Sequence, residues 1–307
     1  MNEMSLTTSV LMATYNGMKF LIPQLDSIRL QTDSADEVII CDDGSTDETV
    51  QIIQDYIEKY ELESWHLSRN EKNKGWMQNF MDMALNCHTD LIFFADQDDI
   101  WNLQKIEQMK KAISENSKID LLYSDYKIVK KFSNREEKGE WIINKKPKIK
   151  RNSNIYKYSM VTLGCSYCLR KSFVDEIKDL YWKGCPHDSF FYRAALIKGT
   201  LYSLNSKLIY HRIHGNNTSF MSLAEQKDDD MLKYRIEIIQ NLIEYAISIG
   251  NTTAQNILSN AFDWNNTRND FFREPSIKNY FRLLKFHKYY FRLRTFIKEY
   301  FIARAIK

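Results

Sequence analysis

The clearest chemical pattern in the sequence is a group of three carboxylates within four positions, Asp96, Asp98 and Asp99, separated only by Gln97. They directly follow an apolar run, Leu91 to Ala95, which is typical of a strand buried on both faces of a parallel sheet. Three close anions repel one another unless a cation is bound. Such oxygen clusters suit Mg²⁺ or Mn²⁺ held partly through a ligand's phosphates. The pattern therefore predicts a metal–diphosphate site where this strand leaves the sheet.

The same acids have a structural alternative. An Asp that precedes a helix often caps it, and a helical pattern starts near Leu103, so Asp98 or Asp99 could serve as the cap. Capping accounts for one Asp and leaves the other two unexplained. We therefore favour the metal site.

The elements that must position these acids alternate between strand and helix. A second acid pair, Asp42-Asp43, follows a predicted strand and precedes Gly44-Ser45 and a helix. This alternation predicts an α/β fold with a mostly parallel sheet covered on both faces. The predicted strands are 9–16, 37–41, 65–67 and 91–95, and the predicted helices are 20–31, 48–60, 76–86 and 103–115.

The next part of the chain continues the mixed pattern with less regularity. We interpret the charged stretch 127–151 as an irregular connection and 158–170 as β-like. The other predicted elements are a strand at 121–123, a helix at 172–180, a loop-to-helix transition at 185–192 with its helix ending at 198, and a strand at 202–210 that leads into 211–217.

Composition limits the class of protein. The 307 residues are enough for a large domain with an appendage, and a net charge of +3 is too small to indicate nucleic-acid binding. The odd number of cysteines, five, suggests reduced thiols, and we interpret Cys165 and Cys168 as buried structural residues rather than a zinc or redox pair. We find no secretory signal and no apolar run of ~18 residues, and therefore expect neither a leader nor a membrane-spanning helix.

The chain changes character near Met221. We expect a catalytic domain at 1–220 and a helical region at 221–307. The final segment, 278–307, alternates aromatic residues with nine Lys or Arg and a single acid, Glu299. This composition suits a helix at an anionic membrane surface. The alternative is a helix pair that packs on the catalytic domain or forms a homodimer.

Several motifs occur in the order seen in family 2 glycosyltransferases of the GT-A fold, which the chain resembles over about residues 9–217. They are the first strand and loop (10–16), Asp42-Asp43-Gly44-Ser45, Asn73-Lys74-Gly75, Asp96-Gln97-Asp98 and His187-Asp188. The resemblance implies a nucleotide-sugar donor, with the donor half at about 1–100 and the acceptor half at about 101–220.

The resemblance also implies roles for individual residues. Asp98 would bind a Mn²⁺ or Mg²⁺ ion, with help from Asp96 and His214, and Asp43 would accept the imide N–H of uracil or thymine. Asp188 would be the general base of an inverting transfer. The remaining donor-binding residues would be Ala13, Tyr15, Asn73, Gly75, Asp96 and Arg212. Three of these roles have ordinary alternatives: Tyr15 as a strand-end aromatic, Asp188 as a helix cap and His214 as a loop histidine.

Three shorter sequence motifs resemble those of bacterial rhamnosyltransferases: Asp96 to Trp101, Gly75-Trp76 and Pro186-His187-Asp188. This implies dTDP-L-rhamnose as the donor and a lipid-linked polysaccharide as the acceptor. The protein would then lie in the cytoplasm, at the inner face of the cell membrane. Other possibilities are a UDP-hexose donor, a nucleotidyltransferase, or a non-enzymatic membrane-bound adaptor.

Overall fold

The sheet begins with four strands that run in the same direction. The structure is a computed structural model that describes residues 6–129, 147–158, 162–182, 184–214, 228–290 and 293–305. The first four strands, β1 to β4, are Thr8–Thr14, Glu37–Asp42, Trp65–Arg69 and Leu91–Asp96. Five shorter or later strands complete the sheet: β5 Ile100–Trp101, β6 Leu121–Val129, β7 Ile149–Arg151, β8 Tyr167–Arg170 and β9 Leu201–Arg212.

The strand order is β3-β2-β1-β4-β8-β6-β9-β5, with β7 also paired to β9. Strand β1 pairs in parallel with β2 and β4, whereas β8 is antiparallel to both β4 and β6. Strands β6 and β9 are again parallel to each other. The result is a mixed sheet with mostly parallel strands, which confirms the predicted fold class.

Helices connect the strands and cover both faces of the sheet, as predicted. The six helices of this part are α1 Leu21–Arg29, α2 Thr49–Lys59, α3 Trp76–Asn86, α4 Lys105–Ser114, α5 Lys171–Ile177 and α6 His187–Lys198. Adjacent residues of β4 show the two covered faces. Phe93 packs in a core with residues of α1, α2 and α4, whereas Phe94 contacts Phe80 of α3 and Phe191 of α6. This double burial is why β4 is apolar at every position up to Asp96.

Three local predictions need correction. Residues 159–161 of the β-like stretch 158–170 lie outside the described residues. Of the rest, only Tyr167–Arg170 is a strand, and Gly164–Ser166 forms a 3₁₀ turn before it. The stretch 127–151 contains the end of β6 and all of β7, while 130–146 lies outside the described residues. The predicted helix 172–180 is an α-helix only to Ile177 and continues as 3₁₀ from Lys178 to Leu180. Strands as short as β5 and β7 carry too few residues for a periodic signal.

The chain divides into two compact units. The first comprises Met1–Asn152, Val161–Ala195 and Gly199–Asn216, and the second comprises Ser153–Met160, Leu196–Lys198 and Asn217–Lys307. The two short segments of the second unit lie far from the predicted boundary in sequence. They belong there because they contact its helices: Asn251 Nδ2 donates to the Ile197 carbonyl at 2.7 Å.

The second unit is helical, as the sequence predicted. Its helices are α7 Asp228–Ser248, α8 Thr252–Arg273, α9 Ile277–Leu283 and α10 Leu293–Ala305, with a 3₁₀ segment at Leu284–Tyr289. A small core of Phe271, Leu283 and Phe296 joins α8, α9 and α10. Across the described ranges, no helix is long and apolar enough to cross a membrane.

Candidate active site

The carboxyl ends of β1, β2 and β4 meet at one edge of the sheet. In the register of the parallel strands, Ala13 lies opposite both Asp96 of β4 and Cys41 of β2, and Thr14 lies opposite Asp42. The two acidic strand ends that the sequence singled out therefore flank the loop that follows β1. This edge is where open α/β sheets bind ligands.

Asp96, Asp98 and Asp99 form a cluster of carboxylates. One oxygen from each lies within 4.8 Å of the others. Burial and repulsion by Asp99 and Asp98 raise the pKa of Asp96 to about 8, and burial together with Asp99 raises the pKa of Asp98. A carboxyl with the pKa of Asp96 holds its proton at neutral pH unless a cation replaces it. Three oxygen donors at this spacing fit a hard divalent ion such as Mg²⁺ or Mn²⁺.

His214 joins this cluster from the end of β9. Its Nε2 lies 2.8 Å from Oδ2 of Asp98, and its ring stacks on Phe20 with 4.2 Å between centroids. The structure thus brings together the three residues predicted to bind metal, Asp96, Asp98 and His214.

Asp99 does not cap a helix. It is fully buried, and its Oδ1 lies 2.9 Å from Nδ1 of His211. Helix α4 starts at Lys105 and its cap residue, Gln104, makes no side-chain cap bond. Because Ile100–Trp101 first pair with β9 as β5, both Asp98 and Asp99 are held away from the start of α4. The capping alternative is therefore wrong, and Asp99 supports the site from beneath through His211.

Arg212 ties the end of β9 to the acidic turn. Its guanidinium donates to the carbonyls of Asp98 and of Phe20, the latter at 2.9 Å, and lies over the Phe20 ring at 5.3 Å. The residue is buried, and burial lowers the pKa of the guanidinium. These contacts position the turn that carries Asp98, and the predicted contact of Arg212 with the donor stays a prediction.

The two acids after β2 make different contacts. Asp42 is fully buried and holds the following turn, because its Oδ2 accepts from the backbone N–H of Ser45 at 2.8 Å and of Gly44 at 3.1 Å. Asp43 instead reaches across to the next loop. It accepts from the backbone N–H of Lys74 at 2.9 Å and of Gly75 at 2.8 Å.

The loop before α3 is therefore organised around Asp43. Asn70 Nδ2 donates to Asp43 Oδ1 at 2.9 Å, and Asn73 Oδ1 accepts from Gly75 N–H at 3.0 Å. Gly75 has a φ of +84°, a conformation that side chains disfavour, and α3 begins immediately after it at Trp76. The predicted donor-binding residues Asn73 and Gly75 thus lie in one turn, which Asp43 contacts from the loop after β2.

The side chain of Gln97 was missed at the level of sequence. Its Oε1 accepts from Tyr15 N–H at 2.9 Å and its Nε2 donates to the Tyr15 carbonyl at 3.0 Å, which fixes the loop after β1. A Cβ at Gly17 would collide with this amide, so a larger residue there would displace the Gln97 side chain. The Tyr15 side chain itself is about half exposed, at 47%. Its position between the acids of the cluster was the signal that could have identified Gln97.

Asp188 lies in the first turn of α6, one residue inside the helix. Its Oδ1 accepts from Ser189 N–H at 2.6 Å, and burial raises the pKa of this carboxyl to about 6. The 3₁₀ turn at Gly164–Ser166 packs against it. A Cβ on Gly164 would lie only 2.9 Å from Asp188 Cβ.

Two consecutive residues of that 3₁₀ turn connect Asp188 with the acid cluster. Gly164 lies against Asp188, and the Sγ of Cys165 lies within 4.8 Å of ligand atoms of Asp99 and His211. In the sequence, Asp188 and the acids are separate signals. The turn that spans the space between them became visible only in three dimensions.

His187, next to Asp188, occupies an aromatic box. Its ring lies 4.4 Å from Phe80, 4.7 Å from Phe94 and 5.7 Å from Trp76 between centroids. Burial lowers its pKa to about 3, so the imidazole is neutral. Neither ring nitrogen has a hydrogen-bond partner among the described residues. The box holds the start of α6, and thus Asp188, by apolar packing.

A buried lysine lies near the acids. Lys105 is fully buried, donates from Nζ to the Cys165 carbonyl at 2.6 Å and lies 3.3 Å from the centroid of Trp101. Burial lowers the pKa of Lys105 to about 7. All five cysteines are buried and reduced, and burial raises the pKa of both Cys165 and Cys168. The predicted burial of Cys165 and Cys168 is confirmed, although Cys165 lies in a 3₁₀ turn rather than a strand.

Known proteins are similar to this chain in sequence. The family model described as glycosyl transferase family 2 matches residues 9–177. The dTDP-rhamnosyl transferase RfbG of Shigella flexneri is 29% identical over 67% of this chain and 72% of its own length. An uncharacterized glycosyltransferase of Nostoc is 26% identical over 79% of this chain and 76% of its own, and the chondroitin synthase of Escherichia coli is 25% identical over 72% of this chain and 31% of its own.

Solved structures show the same fold. TarS of S. aureus (residues 1–349, in complex with UDP-GlcNAc) aligns with a TM-score of 0.62 at 20% identity, covering 91% of this chain and 79% of that one. The same protein in complex with UDP aligns with a TM-score of 0.56, covering 88% of this chain and 92% of that one.

Proposed function

The chain belongs to glycosyl transferase family 2, and on this premise we propose that it is an inverting, metal-dependent transferase that moves one sugar from a nucleotide donor to a hydroxyl group. The observation that supports this most directly is the cluster of Asp96, Asp98 and Asp99 at the end of β4, connected to Asp188 through the 3₁₀ turn at Gly164–Ser166. Family membership favours glycosyl transfer over both rivals, the nucleotidyltransferase and the non-enzymatic adaptor.

Asp188 is the general base in this proposal. Its carboxylate takes the proton of the acceptor hydroxyl while the hydroxyl oxygen attacks C1 of the sugar. The bond from C1 to the diphosphate oxygen breaks on the opposite side, so a single displacement inverts the configuration and releases a nucleoside diphosphate. A pKa of about 6 leaves Asp188 mostly ionised at neutral pH and still basic enough to take the proton.

Asp98, Asp96 and His214 would hold the divalent ion, Mn²⁺ or Mg²⁺. When bound, such an ion neutralises the negative charge of a leaving diphosphate. The protein's own contribution is to fix these groups before the donor arrives. Arg212 holds the backbone of the acidic turn, and His211 holds Asp99. Because of these contacts, the site does not have to reorganise during the reaction.

Donor recognition is proposed for the loops after β1 and β2. Asp43 would accept the imide N–H of the base, and Tyr15 would pack against the base ring beside Ala13. A carboxylate has about four acceptor positions, of which the contacts of Asp43 with Asn70, Lys74 and Gly75 use three. One position therefore remains for the base. Asn73, Gly75, Asp96 and Arg212 complete the proposed donor site.

For the donor we propose dTDP-L-rhamnose. The sequence motifs at 96–101 and 186–188 support this donor, as does the similarity to the Shigella rhamnosyl transferase. A UDP-hexose is the second candidate, because the fold neighbour TarS was solved with UDP-GlcNAc and an Asp at position 43 suits uracil and thymine equally. A thermal-shift screen of dTDP-L-rhamnose against UDP-sugars with Mn²⁺ distinguishes them, because a ligand that binds only the native state raises its stability.

We further propose a lipid-linked saccharide of a cell-surface polysaccharide as the acceptor, and a cytoplasmic location at the inner face of the membrane. The basic and aromatic segment at 278–307 supports this location. Product analysis is the corresponding test. Transfer with inversion releases a nucleoside diphosphate, whereas a nucleotidyltransferase would release or consume pyrophosphate.

A further inference from the structure

The C-terminal helices carry an open apolar groove. It has a volume of about 330 Å³ and lies between α9 and α10. Its lining residues are Ile277, Tyr280, Phe281, Ile297, Tyr300 and Phe301. Phe281 is 60% exposed and Phe301 is 67% exposed, so two large aromatic side chains face solvent at its edge. Contiguous exposed apolar surface of this kind marks an interaction site.

The floor of the groove is already ordered. Tyr280 stacks on Phe296 with 4.6 Å between centroids and contacts Tyr300 at 4.8 Å. Phe296 also belongs to a buried cluster with Phe271 and Leu283, against which Tyr280 and Tyr300 pack. The exposed side chains are therefore not needed to close this core, and they stand on a preformed support.

The segment that carries the groove, 277–301, is basic. The exposed charged residues on the described part of 277–301 are Lys278, Arg282, Lys285, Lys288, Arg294 and Lys298. The single acid there, Glu299, is buried and bound to Arg268 at 2.6 Å and to the Tyr290 hydroxyl at 2.7 Å. No exposed carboxylate on this described stretch offsets the bases, so the groove needs a partner that is both apolar and anionic.

We propose that this groove docks the protein on an anionic phospholipid bilayer, with Phe281 and Phe301 among the acyl chains and bases of the same segment at the phosphate groups. An amphipathic surface with bases beside aromatic residues is the usual form of an interfacial anchor. A second copy of the chain is a poorer occupant, because a two-fold interface would place these like charges against one another. The proposal deepens the membrane location proposed above, and its test needs neither donor nor metal.

The test is flotation of the full-length protein with vesicles. We expect it to float with phosphatidylcholine–phosphatidylglycerol vesicles at low salt, to float much less with phosphatidylcholine alone, and to dissociate at high salt, where the Debye length falls to about 3 Å at 1 M. Phe281→Ser and Phe301→Ser should each lower the partition coefficient about tenfold or more. Lys278→Glu and Arg282→Glu should each lower it about fivefold or more.

Ile247→Ser is the matched control, because Ile247 is 55% exposed in the same unit but lies on α7 outside the groove, and it should leave flotation unchanged. Unfolding midpoints confirm that each variant is folded. The proposal is overturned if the intact protein does not float, or if Phe281→Ser and Phe301→Ser float as well as the control. It is also overturned if these variants abolish a dimer seen by sedimentation while vesicle binding persists. Normal flotation of a protein without transferase activity would contradict the proposed enzymatic function and leave the membrane proposal intact.

Discussion

His214 Nε2 lies 2.8 Å from Asp98 Oδ2, which joins the end of β9 to the acidic turn after β4 across 116 positions of sequence. Arg212 reinforces the same connection through the backbone of that turn. A loop that is held at both ends keeps its ligands in place before any substrate binds. The proposed catalysis depends on this preorganisation of the site.

The first prediction concerns Asp188. Asp188→Asn should keep donor affinity and lose transfer by about 10²–10⁴-fold, the usual contribution of a positioned base. Calorimetric donor binding and initial rates separate the two effects. A variant that loses stability but retains its specific activity would show that Asp188 serves only the helix.

The pH dependence follows from the same carboxyl. Its pKa of about 6 means that the base becomes protonated as the pH falls below 6, so kcat/KM should decline there and level off above about pH 7. The stability effect has the opposite direction. A pKa raised above the unfolded value near 4 favours the protonated native state, so this stabilisation is lost as the pH rises from about 4 to 6. Asp188→Asn should remove this loss when the free energy of unfolding is measured against pH. An unchanged pH dependence would contradict the raised pKa of Asp188.

A further prediction concerns Gly164. In Gly164→Ala the new Cβ would meet Asp188 Cβ at 2.9 Å and His187 Nε2 at 3.1 Å, so the start of α6 must shift. A misplacement of about 1 Å at a reacting group can lower a rate about 10²-fold. Steady-state kinetics should show a lower kcat with donor affinity retained. Thr162→Ala is the control, since it adds no atom and keeps the carbonyl that accepts from Tyr167. Equal kcat values in both variants would show that the 3₁₀ turn does not position Asp188 for catalysis.

Gln97 provides a test of donor positioning. Gln97→Ala removes both hydrogen bonds to the Tyr15 backbone, at 2.9 and 3.0 Å. At about 1 kcal/mol for each bond, the donor KM should rise about tenfold or more while kcat changes less. Gln97→Glu keeps the acceptor and loses the donor, so it should give an intermediate KM. A fall in kcat with an unchanged KM would refute the proposed role.

Asp43 should affect both folding and donor binding. Asp43→Ala leaves three donors of the 70–75 loop without their acceptor, and we expect the free energy of unfolding to fall by about 1–3 kcal/mol. Donor affinity should fall as well. Asp82→Ala is a useful control because it removes an exposed carboxylate that binds Lys74 through its side chain. Loss of stability with full donor affinity would limit Asp43 to a structural role.

Sequence periodicity predicted the regular part of the fold because the burial it reflects is local. Strand β4 is apolar at successive positions since both of its faces are covered, and the acids begin where that cover ends. The same reasoning found Asp98 and Asp43, each at a strand end. Non-local pairs carry no such signal. The contact of His211 with Asp99 depends on the two-residue strand β5, which is too short for any period to show.

Other parts of the site were missed because their roles arise from packing. His187 was visible in the sequence only as a neighbour of Asp188, yet three aromatic residues from separate elements enclose it. Lys105 resembled an ordinary helix lysine, although it is fully buried against Trp101. The capping alternative for Asp98 and Asp99 failed because β5 intervenes before α4 begins.

The most direct test of the account measures donor binding at the acid cluster. Calorimetry with dTDP-L-rhamnose should show binding to the native protein in Mn²⁺ and a loss of about 10²-fold or more in excess EDTA. Asp98→Asn should bind as weakly in Mn²⁺ as the native protein does in EDTA, with its unfolding midpoint in EDTA largely retained. Donor binding by the native protein that is as strong in EDTA as in Mn²⁺, together with undiminished binding by Asp98→Asn, would contradict the central claim that these carboxylates hold the donor diphosphate through a metal ion.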